Sequence, residues 1–262
     1  MPIPNKLITL LTDFGDEDGF VGTMKGVILN IHPPARIVDI SHKIPPQDVD
    51  SGAFILRNSY RFFPDGTIHL AIVDPGVGSK RRILIAETER YLFIAPDNSL
   101  LKYIFHENHV LRVFEAENHN YFLNKISHTF HGRDIFAPIA AHLASDIVPE
   151  QFGRQISDYD RGRISIPIIK KHQIRGNVIH IDHFGNLITN IPSTQLKNKR
   201  ILSIKIGTNT IEKLSNSYAE VAEGELIALP GSAGFLEIAI RNGNAGEVLH
   251  MQRNDEIIVV TE

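Results

Sequence analysis

The pattern of apolar residues changes character once along this chain, and that change limits the folds open to it. In the first half, strand-like runs alternate with helix-spaced segments. LITLLTD (Leu7–Asp13), ARIVDIS (Ala35–Ser41) and GTIHLAIVD (Gly66–Asp74) are short and apolar enough for buried strands. Between them, GFVGTMKGVILNIHP (Gly19–Pro33) sets Phe20, Met24, Val27, Ile28 and Ile31 at helical spacing, and Pro33 and Pro34 stop it. DVDSGAFILRNSYRFFP (Asp48–Pro64) opens on an Asp suited to N-capping and closes on a proline. RILIAETERYLFIAPD (Arg82–Asp97) predicts a strand pair about a polar turn at Glu87–Arg90. RDIFAPIAAHLASD (Arg133–Asp146) predicts one more helix, with Pro138 tolerated in its first turn. This alternation favours a mostly parallel sheet covered by helices.

From about Gln173 onward the helical spacing disappears. GNVIHIDHFGNLITNI, RILSIKIGTNTIEKL, GELIALPG, GFLEIAI and DEIIVVTE are short alternating strands with Gly and Asn turns, the signature of a small antiparallel barrel or sandwich. The expected fold is an α/β N-terminal domain with a mostly parallel central sheet (residues 1–165), then a small all-β, barrel-like C-terminal domain (residues 172–262). The boundary falls in SDYDRGRISIPIIKKHQIRG, where KKHQIR (Lys170–Arg175) reads as a solvated linker.

Composition excludes more than it suggests. A net charge of −3 gives no basic surplus to draw the chain to nucleic acid or an anionic membrane. No cysteine is present, which removes disulfides, thiolate nucleophiles and Cys-based metal sites and suits a cytoplasmic location. No apolar run approaches the ~18 residues that span a bilayer. The N-terminal stretch runs straight into a motif and reads as a first strand, not as a signal peptide.

Four separated glycine-bearing motifs concentrate functional side chains: LTDFGDEDGFVG (Leu11–Gly22), VDPGVGSKRR (Val73–Arg82), TFHGRDIFAP (Thr129–Pro138) and DHFGNLITN (Asp182–Asn190). Ionisable groups beside glycine just past a strand end are how α/β folds build ligand sites, so these motifs point to an enzyme or small-molecule binder. Each has a plainer reading. Asp before Pro-Gly is often only a turn residue, Arg81 and Arg82 a solvated pair, His131 a loop residue, and Asp13 a helix N-cap. Asp13, Asp16 and Asp18, with 13 histidines, invite a metal-dependent phosphohydrolase. His42, His69, His106, His119 and His142 are too scattered for a ligand set, so core or surface roles are expected and no metal site is assigned. No GxGxxG follows a strand, and no GxxxxGK[ST] is present.

Together with PDNSLL (Pro96–Leu101) and FLEIAIRNGNA (Phe235–Ala245), these motifs give the chain a resemblance to the S-adenosyl-L-methionine hydroxide adenosyltransferases, relatives of the fluorinase and chlorinase. The resemblance covers both halves. It implies cleavage of S-adenosyl-L-methionine by water to adenosine and L-methionine, with that molecule as substrate and no cofactor. It also implies a homotrimer with ligand sites at subunit interfaces. By motif, the family's catalytic Asp–Arg–His set falls on Asp74, Arg81 and His131, with Arg82 the alternative to Arg81. Asp13 would accept from the ribose hydroxyls. Phe184 and Asn186 would meet adenine by stacking and hydrogen bonding, and Asn244 and Ala245 through backbone. Asp182 would meet the methionine ammonium and Ser232 its carboxylate. Thr129, Phe130 and Gly132 would border the nucleophile pocket. In the halogenating relatives a tyrosine stands where this chain has Asp74, so the carboxylate favours water over halide. A halide-using transferase and a non-catalytic adenosine sensor are the competing readings. Arg133 and Asp134 are expected to be structural.

Overall fold

A computed structural model describes residues 6–262. The chain divides into two compact units, the first ending at Ile164 and the second Ser165–Glu262.

The first unit contains β1 (Leu7–Thr12), α1 (Phe20–Ile31), β2 (Arg36–Ser41), α2 (Val49–Ser59), β3 (Ile68–Ile72), β4 (Ile83–Thr88), β5 (Leu92–Pro96), α3 (Lys102–Glu107), β6 (Val110–Glu115) and α4 (Ala137–Ala144). Its sheet has the order β2-β1-β3-β5-β4-β6. β2, β1, β3 and β5 are mutually parallel, and β4 runs antiparallel to both β5 and β6. β3 is buried at every position and β1 at all but its first, as their largely apolar runs suit strands covered on both faces; the polar Thr9 and His69 within them bond to each other. Asp48 caps α2, its carboxylate accepting from Ser51 N at 3.1 Å.

The helix expected from Arg133 is present in two parts. Gly132–Phe136 winds as a wide π-turn, and the α-helix proper begins at Ala137 with Pro138 in its first turn. Proline has no N–H to donate to the preceding turn, so the regular ladder starts after it and the residues ahead are free to widen.

The second unit contains β7 (Ile168–Lys170), β8 (Gln173–Ile181), β9 (Leu187–Pro192), β10 (Ile201–Ile206), β11 (Asn209–Ile211), β12 (Leu226–Pro230), β13 (Phe235–Ile240), the single-turn α5 (Ala245–Val248) and β14 (Glu256–Thr261). All pairings are antiparallel, in the order β11-β10-β14-β8-β9-β13-β12, with β7 also on β8. The end strands β11 and β12 touch, which brings the sheet close to a closed barrel. Ile174, Val178, Leu187, Ile204, Leu236, Ile238, Ile257 and Val259 fill it.

The KKHQIR stretch is not a linker. Ile169 pairs with Ile174 and Lys170 with Gln173, leaving Lys171 and His172 as a two-residue hairpin turn. Its charge is the charge of an exposed turn, and the flanking isoleucines supply strand propensity. Among the described residues, no helix is long and apolar enough to cross a membrane.

Candidate active site

β1 and β3 are adjacent and parallel, with Thr12 in register with Ile72. The chain therefore delivers Asp13 and Asp74 side by side, just past the carboxyl ends of two central strands, where open α/β sheets place their ligands. A pocket of about 330 Å³ opens there. Asp13, Phe14, Phe20, Pro46, Gln47, Ile72, Asp74, Val77, Thr129, Phe130, His131 and Gly132 line it.

Asp74, Arg81 and His131 form one connected set. Arg81 donates from Nε (2.8 Å) and Nη2 (2.5 Å) to Asp74 Oδ2, and Nη2 lies 2.9 Å from His131 Nδ1. The pair is withdrawn from solvent: the Arg81 and Asp74 side chains are 10 % and 5 % exposed. The guanidinium lies over the Phe136 ring, 5.3 Å from its centroid. Arg81 is thus no surface residue, and it is the arginine of the two that meets Asp74. Arg82 turns to Asp97 at 2.8 Å and Asp158 at 2.9 Å, away from this set.

The chemistry of each contact fixes protons. A guanidinium has no acceptor, so it must donate to His131 Nδ1. The neutral imidazole then carries its hydrogen on Nε2. Burial, and then the nearby Arg81 cation, hold the His131 pKa below the usual histidine range, which keeps the ring neutral. Asp74 Oδ1 is buried and has no hydrogen-bond partner among the described residues. A buried carboxylate oxygen left open beside a pocket is costly unless something else engages it.

Close approaches hold the loops. Gly78 has φ 78°, and a Cβ there would stand 2.3 Å from the His128 carbonyl oxygen, so the VDPGVG and TFHG loops meet backbone to backbone. The Asp134 carboxylate is buried, accepts from Ser127 N at 2.7 Å and pairs with Arg133, tying down the loop that carries Thr129 and Phe130. Arg133 and Asp134, expected only to start a helix, also brace this loop. Gly132 is tightly enclosed, since a Cβ would meet the Phe14, Met24 and Phe130 side chains at 3.1–3.3 Å.

Asp13 is not a helix cap; α1 follows Gly19 without a side-chain cap. Its Oδ2 instead accepts from Gln47 N at 2.7 Å. The acidic cluster suggested by Asp13, Asp16 and Asp18 disperses, with Asp16 paired to Lys43 at 3.1 Å. No group of three His, Cys, Asp or Glu side chains suited to a metal converges among the described residues. His69 is a core residue, fully buried against Phe93 and bonded to Thr9 Oγ1 at 2.7 Å.

The second unit gathers part of the other predicted set. A pocket of about 630 Å³ is lined by Phe184, Asn186, Tyr218, Ala219, Ile240, Arg241, Asn242 and Gly243. Phe184 is 72 % exposed, an unusual position for so large an apolar ring. Asp182 organises the turn that presents it: Oδ1 accepts from Phe184 N and Asn186 N, both at 2.9 Å, and Oδ2 from Asn186 Nδ2 at 3.0 Å. Its plainer turn role is therefore real, and its acceptors are already heavily used. Asn244 caps α5 by accepting from Glu247 N at 3.0 Å, while Ala245 is fully buried. Gly185 must be glycine, because its Cβ would lie 1.9 Å from Asn244 Oδ1. Ser232 sits exposed in the β12–β13 turn and does not line the 630 Å³ pocket.

Sequence reasoning missed several pocket residues. Phe14 and Phe20 are two of them, and with Phe130, which was expected at the pocket, they form an edge-to-face trio with centroids 5.1–6.1 Å apart. Phe20 reads as part of a core-facing helical stripe, yet it is 44 % exposed and lines the pocket. A phenylalanine in each of the motifs around Asp13 and His131 was the available signal. Tyr218 was also missed. Its hydroxyl donates to the buried Glu237 carboxylate, and burial pushes the pKa of both groups up.

An α/β unit that sets two carboxylates and an Arg–His pair past the ends of parallel strands, followed by a β-barrel unit bearing an aromatic–amide turn, defines the class of protein. The chain belongs to the SAM hydroxide adenosyltransferase family: residues 8–153 match the N-terminal domain and residues 176–258 the C-terminal domain. It is 36 % identical to the (R)-S-adenosyl-L-methionine hydrolase of Methanocaldococcus jannaschii, with 97 % of this chain and 95 % of that protein covered. It is 30 % identical to the fluorinase of Nocardia brasiliensis, with 89 % of each covered. A crystal structure of an uncharacterized conserved protein from Thermotoga maritima superposes with a TM-score of 0.90 at 36 % identity, covering 97 % of this chain and 99 % of that one.

Proposed function

We propose that this chain hydrolyses (R)-S-adenosyl-L-methionine to adenosine and L-methionine. One observation carries the reading: a connected Asp74–Arg81–His131 set at the 330 Å³ pocket in which Asp74 Oδ1 is left open. The family membership and the name of the Methanocaldococcus relative support it and supply the sulfonium configuration.

In the proposed reaction a water oxygen bonds to ribose C5′ as the C5′–S bond breaks, and the bonding pair stays on sulfur. The leaving group is a neutral thioether, so no general acid is needed. What the site must supply is alignment of the water and a destination for its proton. His131 cannot take that proton while Nδ1 accepts from Arg81, because its other nitrogen then already bears hydrogen. It can donate to the water and orient it. Asp74 Oδ1 is the acceptor the geometry leaves, and Arg81, held on Oδ2, offsets the carboxylate charge. Asp13 is assigned to the ribose hydroxyls and the Phe14–Phe20–Phe130 wall to exclusion of bulk water. Phe184 and Asn186 are assigned to the adenine base. A homotrimer in the cytoplasm, acting without a cofactor, is proposed on the family resemblance.

The test is incubation of purified protein with separated (R) and (S) epimers, with and without chloride, followed by chromatography. Adenosine and methionine from the (R) epimer in both conditions are expected. A 5′-chloro product would replace the hydrolase with a halide-using transferase. Adenosine binding without turnover would leave a sensor.

A further inference from the structure

Gln47 breaks a local rule at the edge of the pocket. Asp48 N donates to Pro45 O at 3.0 Å, closing a four-residue turn with Pro46 second and Gln47 third. Gln47 has φ 65°. A third position with positive φ favours glycine or asparagine, and a glutamine there gives up stability. The backbone already has its task, since Gln47 N donates to Asp13 Oδ2 at 2.7 Å. Glycine would perform that task with less strain, so the turn gives no reason for the side chain. Gln47 nonetheless lines the pocket with Asp13, and its carboxamide makes no hydrogen bond among the described residues. Strain kept at a site is a mark of function.

We infer that the Gln47 carboxamide is a specificity determinant that hydrogen-bonds the ribose diol beside Asp13, selecting ribose over 2′-deoxyribose. The inference rests on the adenosyl substrate proposed above. The Gln47 backbone N–H occupies Asp13 Oδ2, leaving Oδ1 to accept from one hydroxyl. The carboxamide springs from the same residue, and it offers both a donor and an acceptor to the second hydroxyl. Such a contact is remote from C5′ and equal in ground and transition states, so it acts on KM and leaves kcat alone.

The experiment compares Gln47→Gly and Gln47→Ala with wild type on S-adenosyl-L-methionine and its 2′-deoxyribose analogue. Gly keeps the N–H to Asp13 and relieves the backbone; Ala keeps the N–H and the strain. Both variants are expected to lose about 3–10-fold in kcat/KM on the ribose substrate through KM, the value of one neutral hydrogen bond. Both should also narrow the preference for ribose over 2′-deoxyribose by the same factor. Thermal stability should move oppositely to activity in Gly, which is expected to melt at or above wild type. A Gly variant with wild-type KM and unchanged discrimination would overturn the inference. Should wild type fail to turn over S-adenosyl-L-methionine, the proposed function fails separately. Calorimetric binding of adenosine against 2′-deoxyadenosine then decides the role of Gln47, with equal ratios in wild type and Gly overturning it.

Discussion

Replacing Asp74 with Asn tests the centre of the argument, because it removes a charge while nearly preserving shape. Arg81 places two N–H groups on Asp74 Oδ2, and both side chains are at most 10 % exposed. After the change, the guanidinium keeps His131 Nδ1 and the Phe136 face but loses the Asp74 carboxylate. Removing one partner of a buried pair outright costs about 3–5 kcal/mol. The Asn carbonyl can still accept one of the two bonds, which reduces the expected loss to about 2–4 kcal/mol. For a unit of this size that is a fall of roughly 5–15 °C in melting temperature. Turnover should fall further than stability suggests. The amide cannot take the water proton, and loss of a positioned base is worth about 10²–10⁴ in rate. Adenosine affinity, measured by calorimetry below the variant's melting temperature, should stay within about threefold of wild type because Asp13 and Phe184 are untouched. Wild-type turnover by the variant would refute the assignment of the proton to Asp74. Unchanged melting would refute the claim that the pair is energetically buried.

Three further outcomes are expected. Gly78→Ala should lower both stability, by about 2 kcal/mol or more, and turnover, because a Cβ at φ 78° would strike the His128 carbonyl oxygen at 2.3 Å; chemical denaturation alongside product assays checks this. His69, with its pKa lowered by burial to about 3, binds a proton only in the unfolded chain between there and 6.5. Stability is therefore complete above pH 6.5 and should fall by up to about 5 kcal/mol as pH drops toward 3. His69→Phe should flatten that profile in pH-dependent denaturation while costing about 1–2 kcal/mol at neutral pH through the orphaned Thr9 hydroxyl. Phe184→Ala should leave melting nearly unchanged, given 72 % exposure, yet weaken adenosine binding by about 1–3 kcal/mol in calorimetry if the ring stacks on the base.

Most of the architecture was legible because burial leaves a periodic mark. Short, largely apolar runs at Leu7–Thr12 and Ile68–Ile72 became strands covered on both faces, and alternation after Gln173 became an antiparallel, nearly closed barrel. α3 and β6, which carry no unbroken run or long helical stripe, were not read at all. The KKHQIR hairpin was misread because charge marks exposure equally in a linker and in a two-residue turn.

The candidate site divides in the same way. The motifs put Asp13, Asp74, Arg81 and His131 forward through the family resemblance they carry, while residue type and glycine context alone left turn, cap and surface readings open. Which arginine meets Asp74 was not local. Arg81 and Arg82 are neighbours in sequence, and only the strand end at Ile83 and the positions of Asp97 and Asp158 send them opposite ways. The same holds for the open Oδ1 of Asp74, the tautomer of His131 and the strained turn at Gln47. Chain sequence determined which residues could be buried and which could do chemistry. The tertiary structure decided their partners, because hydrogen bonds and desolvation depend on distances between residues far apart along the chain.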